Sequence, residues 1–398
     1  MSLPTLYLNS QMDRRLKRGH LWIYSNEVDT KRSPLKSLEP GTQVRVVTAK
    51  EQLIGVAMVN PANLICARLV SRTDQPMDEE LLRERLRRAL QLRDKAFPDP
   101  YYRLVFGDSD LLPGLVVDRF ADYLVVQIAT AGMEALRDLL VPVLVELLSP
   151  KGILLANDHS ARELEGLERY TQVAYGEVPE LVELVENQTR FRVPVHDGQK
   201  TGWFFDHRVG REQLRRWSAG ARVLDVFSYI GGWGVEAATA GASQVLCVDA
   251  SQKAVAQVLQ NAALNGVSER VQARCGKAIE VLKALIAEGA SFDVVVLDPP
   301  AFIKRRKDQK AGEAAYRHIN ELGLQLLSDG GLLVSASCSM HLAEDTLVDI
   351  VRASAWKAGR YARIIQRLGQ GPDHPVHPAI VETNYLKAVF ARVFADPR

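Results

Sequence analysis

The chain has 398 residues, 47% of them apolar and 25% charged, a composition of ordinary folded proteins that excludes wholesale disorder and fibrous folds. At about 150 residues per domain this length predicts two or three domains, and no run approaches ~18 apolar residues without a charge, so no membrane-spanning helix is expected. The 50 basic and 48 acidic residues leave a net charge of +2, which announces no nucleic-acid partner. Residues 1–72, however, hold 11 Lys/Arg against 5 Asp/Glu, a local +6 that can meet phosphates or simply form a solvated basic face.

The stretch Met1–Arg18 already carries Arg14, Arg15, Lys17 and Arg18 and lacks an apolar core, so it does not read as a secretory signal, and a cytoplasmic location is expected. The cysteines, Cys66, Cys247, Cys275 and Cys338, lie far apart. That spacing predicts neither a CxxC zinc site nor a disulfide framework, but reduced thiols.

Taken in order, residues 1–72 read as an all-β unit: Thr42–Thr48 alternates, and Leu53–Val59 and Leu64–Val70 are apolar runs bounded by Asn60-Pro61 and Asn63. Residues 73–97 form a connector whose apolar residues recur at helical spacing from 78 and stop at Pro98. Residues 98–187 mix strands and helices. Leu115–Val117 and Tyr123–Ile128 read as a hairpin, Glu134–Leu148 as an amphipathic helix kinked at Pro142, and Gly152–Ala156 as a strand.

From 188 to 398 the rhythm becomes strand–helix alternation, with strands at Arg222–Phe227, Gln244–Val248, Val271–Arg274, Phe292–Leu297 and Gly331–Ser335. Helical stretches near 251–265, 277–288 and 313–327 lie between them. Such alternation predicts an α/β, Rossmann-like domain with a mostly parallel sheet, whose ligands sit beyond the carboxyl ends of the strands.

The first of these strands runs into Asp225-Val226-Phe227-Ser228-Tyr229-Ile230-Gly231-Gly232-Trp233-Gly234, and the second ends in Asp249. The glycines let a ligand approach the backbone, and Asp249 is placed for ribose hydroxyls. A GxxxxGK[ST] loop is absent, and the glycines read GGxG and not GxGxxG. Asp225 would repel a pyrophosphate but receive an amino group, so S-adenosylmethionine (SAM) fits better than a nucleotide; close helix–strand packing is the bland alternative.

The fourth strand ends in Asp298-Pro299-Pro300-Ala301-Phe302, where two prolines stiffen the exit and present Asp298 rigidly, with Phe302 available to stack on a flat base. The fifth ends in Ser335-Ala336-Ser337-Cys338-Ser339. If the two strands are neighbours, Asp298 and Cys338 open onto one crevice. A thiolate adding at cytosine C6 makes C5 nucleophilic, and a helix starting soon after His341 is a candidate to activate Cys338 through its positive end. Alternatively Cys338 is a small buried hydrophobe, as Cys66, Cys247 and Cys275 are expected to be structural.

The loop Lys304-Arg305-Arg306-Lys307-Asp308-Gln309-Lys310 follows Phe302, and its five cations can clamp a backbone phosphate or stand as a solvated run. His374-Pro375-Val376-His377 lacks a third ligand and reads as a rigid loop, with no metal expected. Residues 199–208 (QKTGWFFDHR) read either as a lid over the cofactor or as a loop joining domains.

These motifs, with VDAS (248–251) and GPDHPVHPAIVETNYLK (371–387), resemble bacterial 23S rRNA cytosine-5 methyltransferases of the large-subunit methyltransferase I type over essentially the whole chain. Gly19–Ser25 and Asn60-Pro61 carry the likeness of residues 1–72 to a PUA domain. The resemblance implies an N-terminal β-barrel PUA domain, a central α+β domain and a class I SAM-dependent methyltransferase domain. It further implies Cys338 as nucleophile and Asp298 as the acid contacting the base. Thr201, Phe205, Asp225, Ser228, Tyr229, Gly231, Gly232, Asp249 and Ala278 would line the SAM site, and Pro299, Phe302, Lys304 and Arg305 would meet the substrate. The implied partner is 23S rRNA or a large-subunit assembly intermediate, with a homodimer left open. One departure stands out: where such enzymes carry an acid near the adenine, this chain has Gly276-Lys277, and a lysine cannot accept the adenine amino hydrogen. An enzyme methylating an exocyclic amine, and a non-catalytic RNA-binding assembly factor, remain as rivals.

Overall fold

A computed structural model describes residues 3–396, so the outermost two residues of the expected first and last domains lie outside it. Two compact units divide the chain. The first holds residues 1–182, 194–205 and 372–383, and the second holds 183–193, 206–371 and 384–398.

The first unit begins with five short strands, β1 (Thr5–Tyr7), β2 (Trp22–Tyr24), β3 (Gln43–Val47), β4 (Leu53–Val59) and β5 (Ile65–Ser71), in the order β1-β3-β4-β5-β2. A bridge between Leu8 and Val28 brings the two edges of this sheet together. Its core gathers Leu6, Ile23, Val44, Val46, Ala57 and Leu69, and Ile380 enters from far along the chain.

Helix α1 (Glu79–Ala96) follows, its first turn capped by the Asp78 carboxylate, which accepts from Leu81 N at 2.9 Å. A second sheet comprises β6 (Tyr101–Phe106), β7 (Leu115–Phe120), β8 (Tyr123–Ile128), β9 (Gly152–Asn157) and β10 (Tyr170–Gly176), ordered β10-β9-β8-β7-β6. Leu82, Leu86 and Ala89 of α1 and Leu140, Val143 and Leu144 of α2 (Arg137–Leu148) pack into one core with Leu104, Val117 and Val126 of this sheet. The expected single helix 134–148 is instead a short turn, Ala131–Glu134, followed by α2, which carries Pro142 internally.

A hairpin of β11 (Leu181–Glu186) and β12 (Thr189–Pro194) is held in the second unit by buried charges. Arg208 Nε donates to Glu186 Oε2 (3.1 Å), Arg211 Nε to Glu186 Oε1 (2.6 Å), and Asn187 Nδ2 to Glu236 Oε2 (3.0 Å). The boundary expected at residue 187/188 therefore falls inside this hairpin, and 194–205 and 372–383 pack with the first unit and not with the residues around them in sequence.

The second unit's sheet contains β13 (Arg222–Val226), β14 (Gln244–Asp249), β15 (Val271–Cys275), β16 (Phe292–Leu297), β17 (Leu327–Ser337), β18 (Arg360–Leu368) and β19 (Lys387–Ala395), in the order β15-β14-β13-β16-β17-β19-β18. The first five strands in that order are parallel and β19 runs antiparallel to both neighbours. Central strands reading RVLDV and FDVVVL are buried almost throughout, as strands covered on both faces must be. Helices α3 (Arg208–Arg215), α4 (Gly232–Thr239), α5 (Gln252–Leu264), α6 (Ala278–Ala287), α7 (Gln309–Gln325) and α8 (Glu344–Lys357) complete the unit.

Candidate active site

The turn from β13 to α4 is built under strain. Phe227 and Tyr229 both adopt positive φ, 66° and 49°, a left-handed conformation that disfavours large side chains and persists only where surrounding contacts impose it. Gly231 (φ 88°) caps α4, and a Cβ on Gly234 would lie 2.4 Å from Cys247 Sγ, so α4 can approach the sheet only as glycine.

That close approach buries Asp225 completely. Its Oδ2 accepts from Gly234 N at 2.8 Å, while Oδ1 is buried with no hydrogen-bond partner among the described residues. Desolvation pushes the carboxyl up to about 7; the Gly234 N–H opposes this, and the nearby Asp298 and Asp249 carboxylates add to it. The Ser228 hydroxyl, beside it in the turn, is also buried without a partner. Asp249, at the tip of β14, accepts from Tyr229 N (2.9 Å) on Oδ2 and from Ser251 N (2.8 Å) on Oδ1, leaving each oxygen a second lone pair. Ala278 opens α6, with Lys277 at its N-cap; the Lys277 side chain is exposed and pairs with Glu280 at 3.5 Å.

The strand tips further along the sheet carry the second cluster. In the parallel pairing of β16 and β17, Leu297 lies opposite Ser335, so Asp298 and Cys338 leave adjacent strands on the same end. A hydroxyl network ties the two exits together. Tyr316 of α7, fully buried, accepts from Ser337 Oγ (2.8 Å), shares a bond with Ser339 Oγ (2.8 Å) and accepts from Phe302 N (3.5 Å), while Ser339 Oγ accepts from Ile303 N (3.2 Å). The serines either side of Cys338 thus face inward as anchors. Cys338 itself is partly exposed.

Both oxygens of Asp298 are engaged. His207 Nε2 stands 3.1 Å from Oδ1, and Trp233 Nε1 donates to Oδ2 at 3.0 Å. Burial opposes a charge on His207, but the Asp298 carboxylate and its hydrogen bond outweigh that and raise the imidazole above its ordinary range. The histidine ring also rests edge-on against Trp233, with centroids 5.4 Å apart.

Lys387, the first residue of β19, pairs with Ser337 in the sheet register. Its ammonium is buried and donates to the carbonyls of Ser339 (2.6 Å) and Tyr385 (2.7 Å). Desolvation pulls Lys387 down to about 8, against the opposing influence of Cys338 and Glu344.

The remaining expected residues lie elsewhere or stand open. Thr201 and Phe205 belong to the first unit, where both are fully buried: Thr201 Oγ1 donates to Asp118 Oδ2, and Phe205 packs on Phe120 at 5.4 Å. The expected lid sequence 199–208 crosses from one unit to the other. Pro299 is buried; Phe302 is half-buried against Tyr316 at 4.8 Å. Lys304 and Arg305 are exposed, with Arg305 Nε donating to Asp308 at 3.1 Å.

The expected helix after His341 begins at Glu344, and its first turn carries Glu344 and Asp345, whose charges offset the positive end that was to activate the thiol. His374 is buried in the first unit on Asp373 (3.0 Å) and the Phe106 ring (5.0 Å). Among the described residues no group of three or more His, Cys, Asp or Glu could hold a metal, and no helix is long and apolar enough to cross a membrane.

A PUA-like domain model matches residues 6–72, and the model for S-adenosylmethionine-dependent methyltransferases matches residues 140–392, more than half of the chain. The ribosomal RNA large subunit methyltransferase I of Erwinia tasmaniensis is 34% identical over 98% of this chain and 99% of that protein, and its namesake from Aeromonas hydrophila is 35% identical over the same shares. The chain belongs to the ribosomal RNA large subunit methyltransferase I family. A Streptococcus mutans structure described as a SAM-dependent methyltransferase superposes with a TM-score of 0.82 at 21% identity, covering 98% of this chain and all of that one, and shows the shared fold. Another, solved with SAH, scores 0.83 over the same shares at 21% identity.

SAM is accordingly the cofactor of this methyltransferase, and the residues present fit it. A buried carboxylate oxygen with no protein donor suits the ammonium of the methionyl moiety, and the spare lone pairs of Asp249 suit ribose hydroxyls. His207, Trp233, Tyr316 and Lys387 received no role from the sequence. His207, Trp233 and Lys387 fell inside quoted motifs and Tyr316 did not, and nothing in their spacing pointed to Asp298 or Cys338.

Proposed function

We propose that the protein methylates C5 of a cytosine in 23S rRNA through a covalent bond between Cys338 and C6 of the base. The observation that carries this reading is the Leu297–Ser335 register, which sets a carboxylate and a partly exposed thiol at the tips of neighbouring parallel strands and ties both exits to Tyr316.

SAM supplies an electrophilic methyl group when bound beside Asp225 and Asp249. The chain's own residues make the carbon nucleophilic. The Cys338 thiolate adds to C6, which shifts electron density to C5. Asp298 meets the N3/N4 edge of the ring, and the His207 imidazole behind it, raised above its ordinary range by that carboxylate, steadies the charge that develops there. Once C5 carried the methyl, its hydrogen would leave as a proton to solvent water, its electrons would re-form the C5–C6 double bond, and the C6–S pair would return to sulfur as thiolate. Trp233 fixes the Asp298 carboxylate from its other side. The exposed Lys304 and Arg305, on the loop directly after Phe302, are placed for backbone phosphates of the RNA. Ribosomal RNA of the large subunit as substrate follows the names of the relatives, and the basic 1–72 module supports an RNA partner.

The test is transfer of tritiated methyl from SAM to protein-free 23S rRNA by the wild type and by Cys338→Ala. Loss of transfer by at least about a thousandfold in the variant is expected, since no other group supplies the C6 nucleophile. Retained transfer would instead favour an exocyclic amine as acceptor, which needs no thiol.

A further inference from the structure

Cys338 needs a reason to ionise. A free thiol has a pKa of about 8.5, and the helix that follows it brings acids and not a bare positive end. The nearest element on the other side of the strand supplies a cation. β19 runs antiparallel to β17, so its first residue, Lys387, lies across from Ser337, one residue before the thiol. The side chain is 6% exposed, and its ammonium binds the main-chain carbonyl of Ser339, one residue after the thiol, and that of Tyr385. Two of its three N–H donors are thereby used on neutral acceptors. Both are carbonyls, which hold a buried ammonium in place without neutralising it.

We propose that Lys387 is the proton acceptor and counter-ion of the Cys338 thiol: in its neutral form the amine keeps two N–H donors on the same two carbonyls and has a free lone pair, the S–H bond breaks with its electron pair staying on sulfur, the proton passes to that lone pair, and the resulting ammonium faces the thiolate until sulfur attacks. This rests on the reading of Cys338 as nucleophile and adds the group that activates it. The return step balances, because expulsion of the thiolate from C6 restores the same ion pair.

Other groups around the pair fit this assignment. Glu344 of α8 acts on Lys387, but its charge is shared with Arg367, whose Nη1 lies 3.3 Å from Glu344 and 3.0 Å from Asp345. Tyr316 is held neutral by burial and its phenol bonds Ser337 and Ser339. Tyr385, whose carbonyl holds Lys387, is anchored by its hydroxyl donating to Asp206 Oδ2 at 2.5 Å. Desolvation brings the Lys387 amine down to about 8, close to an ordinary thiol, so a proton can pass between them at little cost.

The experiment is the pH dependence of Cys338 alkylation by iodoacetamide, read by peptide mass spectrometry on the full-length protein. It is done in a Cys275→Ser background, because Cys275 is exposed while Cys66 and Cys247 are buried. The wild-type midpoint is expected at least about one pH unit below 8.5. Lys387→Met should raise it by about a unit or more and slow alkylation at pH 7 about tenfold, whereas Lys387→Arg, which keeps a fixed cation, should hold it low. A folded Lys387→Met protein, checked by its urea midpoint, with an unshifted profile would overturn the proposal. So would a wild-type midpoint at or above about 8.5, which needs no variant to fold. Methyl transfer is a separate readout: activity surviving Cys338→Ala would sink the cytosine chemistry while leaving the alkylation profile intact, and an unshifted Lys387→Met profile would do the reverse.

Discussion

Asp225 is a carboxylate held where its charge is costly. Its pKa is raised, so the folded protein without cofactor binds a proton that the unfolded chain releases earlier. Stability in the cofactor-free state should therefore fall as pH rises from about 4 to about 7 and then level off. Affinity for S-adenosylhomocysteine should run the other way, because its ammonium needs the ionised form. Titration calorimetry should show about tenfold tighter binding at pH 8 than at pH 6, and Asp225→Asn should weaken binding and flatten that dependence. A wild-type profile flat across this range would remove Asp225 from the ammonium site. Asp225 and Asp249 stood out in the sequence because one lies near the end of a predicted strand and the other directly follows one. The partners that set their behaviour were less legible: Gly234 was visible as a glycine, but the contact with Cys247 that demands it comes from the neighbouring strand.

At the scale of elements, α7 does more than cover the sheet. One phenol on its buried face receives or shares bonds from Ser337, Ser339 and the Phe302 backbone, fastening the exits of β16 and β17 to each other. Tyr316→Phe should leave those hydroxyls poorly satisfied and cost about 1–3 kcal/mol in urea unfolding. It should also lower methyl transfer more through kcat than through KM, because the thiol loses its fixed position while the RNA contacts persist. Wild-type kinetics in this variant would show that the strand exits hold themselves. The strand–helix alternation, DPPAF and SCS were readable because periodicity and proline placement are local. The role of Tyr316 was not, since its helix lies between the two motifs in sequence with nothing but spacing to mark the inward face. β6, β10, β18 and β19 also escaped notice: β18 interleaves arginines with apolar residues, and β10 is an edge whose residues are mostly exposed.

At the scale of the molecule, the first unit is assembled from distant pieces. Arg93 of α1, with no exposed surface, donates to both oxygens of Asp110 (2.6 and 2.8 Å), to the Arg103 carbonyl (2.9 Å) and to the Asp373 carbonyl (2.8 Å). Asp373 in turn accepts from Arg103 N at 3.1 Å. Replacing Arg93 by Met strands the Asp110 carboxylate in the interior, and chemical denaturation should show a loss of about 3–5 kcal/mol; a loss below about 1 kcal/mol would mean water reaches Asp110 freely. Sequence patterning separated a β-rich beginning from an α/β remainder, but it could not assign 372–383 to the earlier unit, because a contact spanning 280 positions leaves no local trace.

The placement of β19 between β17 and β18 has a bearing on how the protein comes into being. Synthesis delivers β17 and β18 first, and β18 has no partner in the sheet until the later strand slides in beside it. A ribosome making this chain therefore releases a half-finished sheet with an open edge, long-range pairing still to come and the slow kinetics such pairing brings. Closure of that gap is also the step that sets Lys387 across from Ser337 and onto the Ser339 carbonyl, so the surroundings of the intervening thiol are completed last.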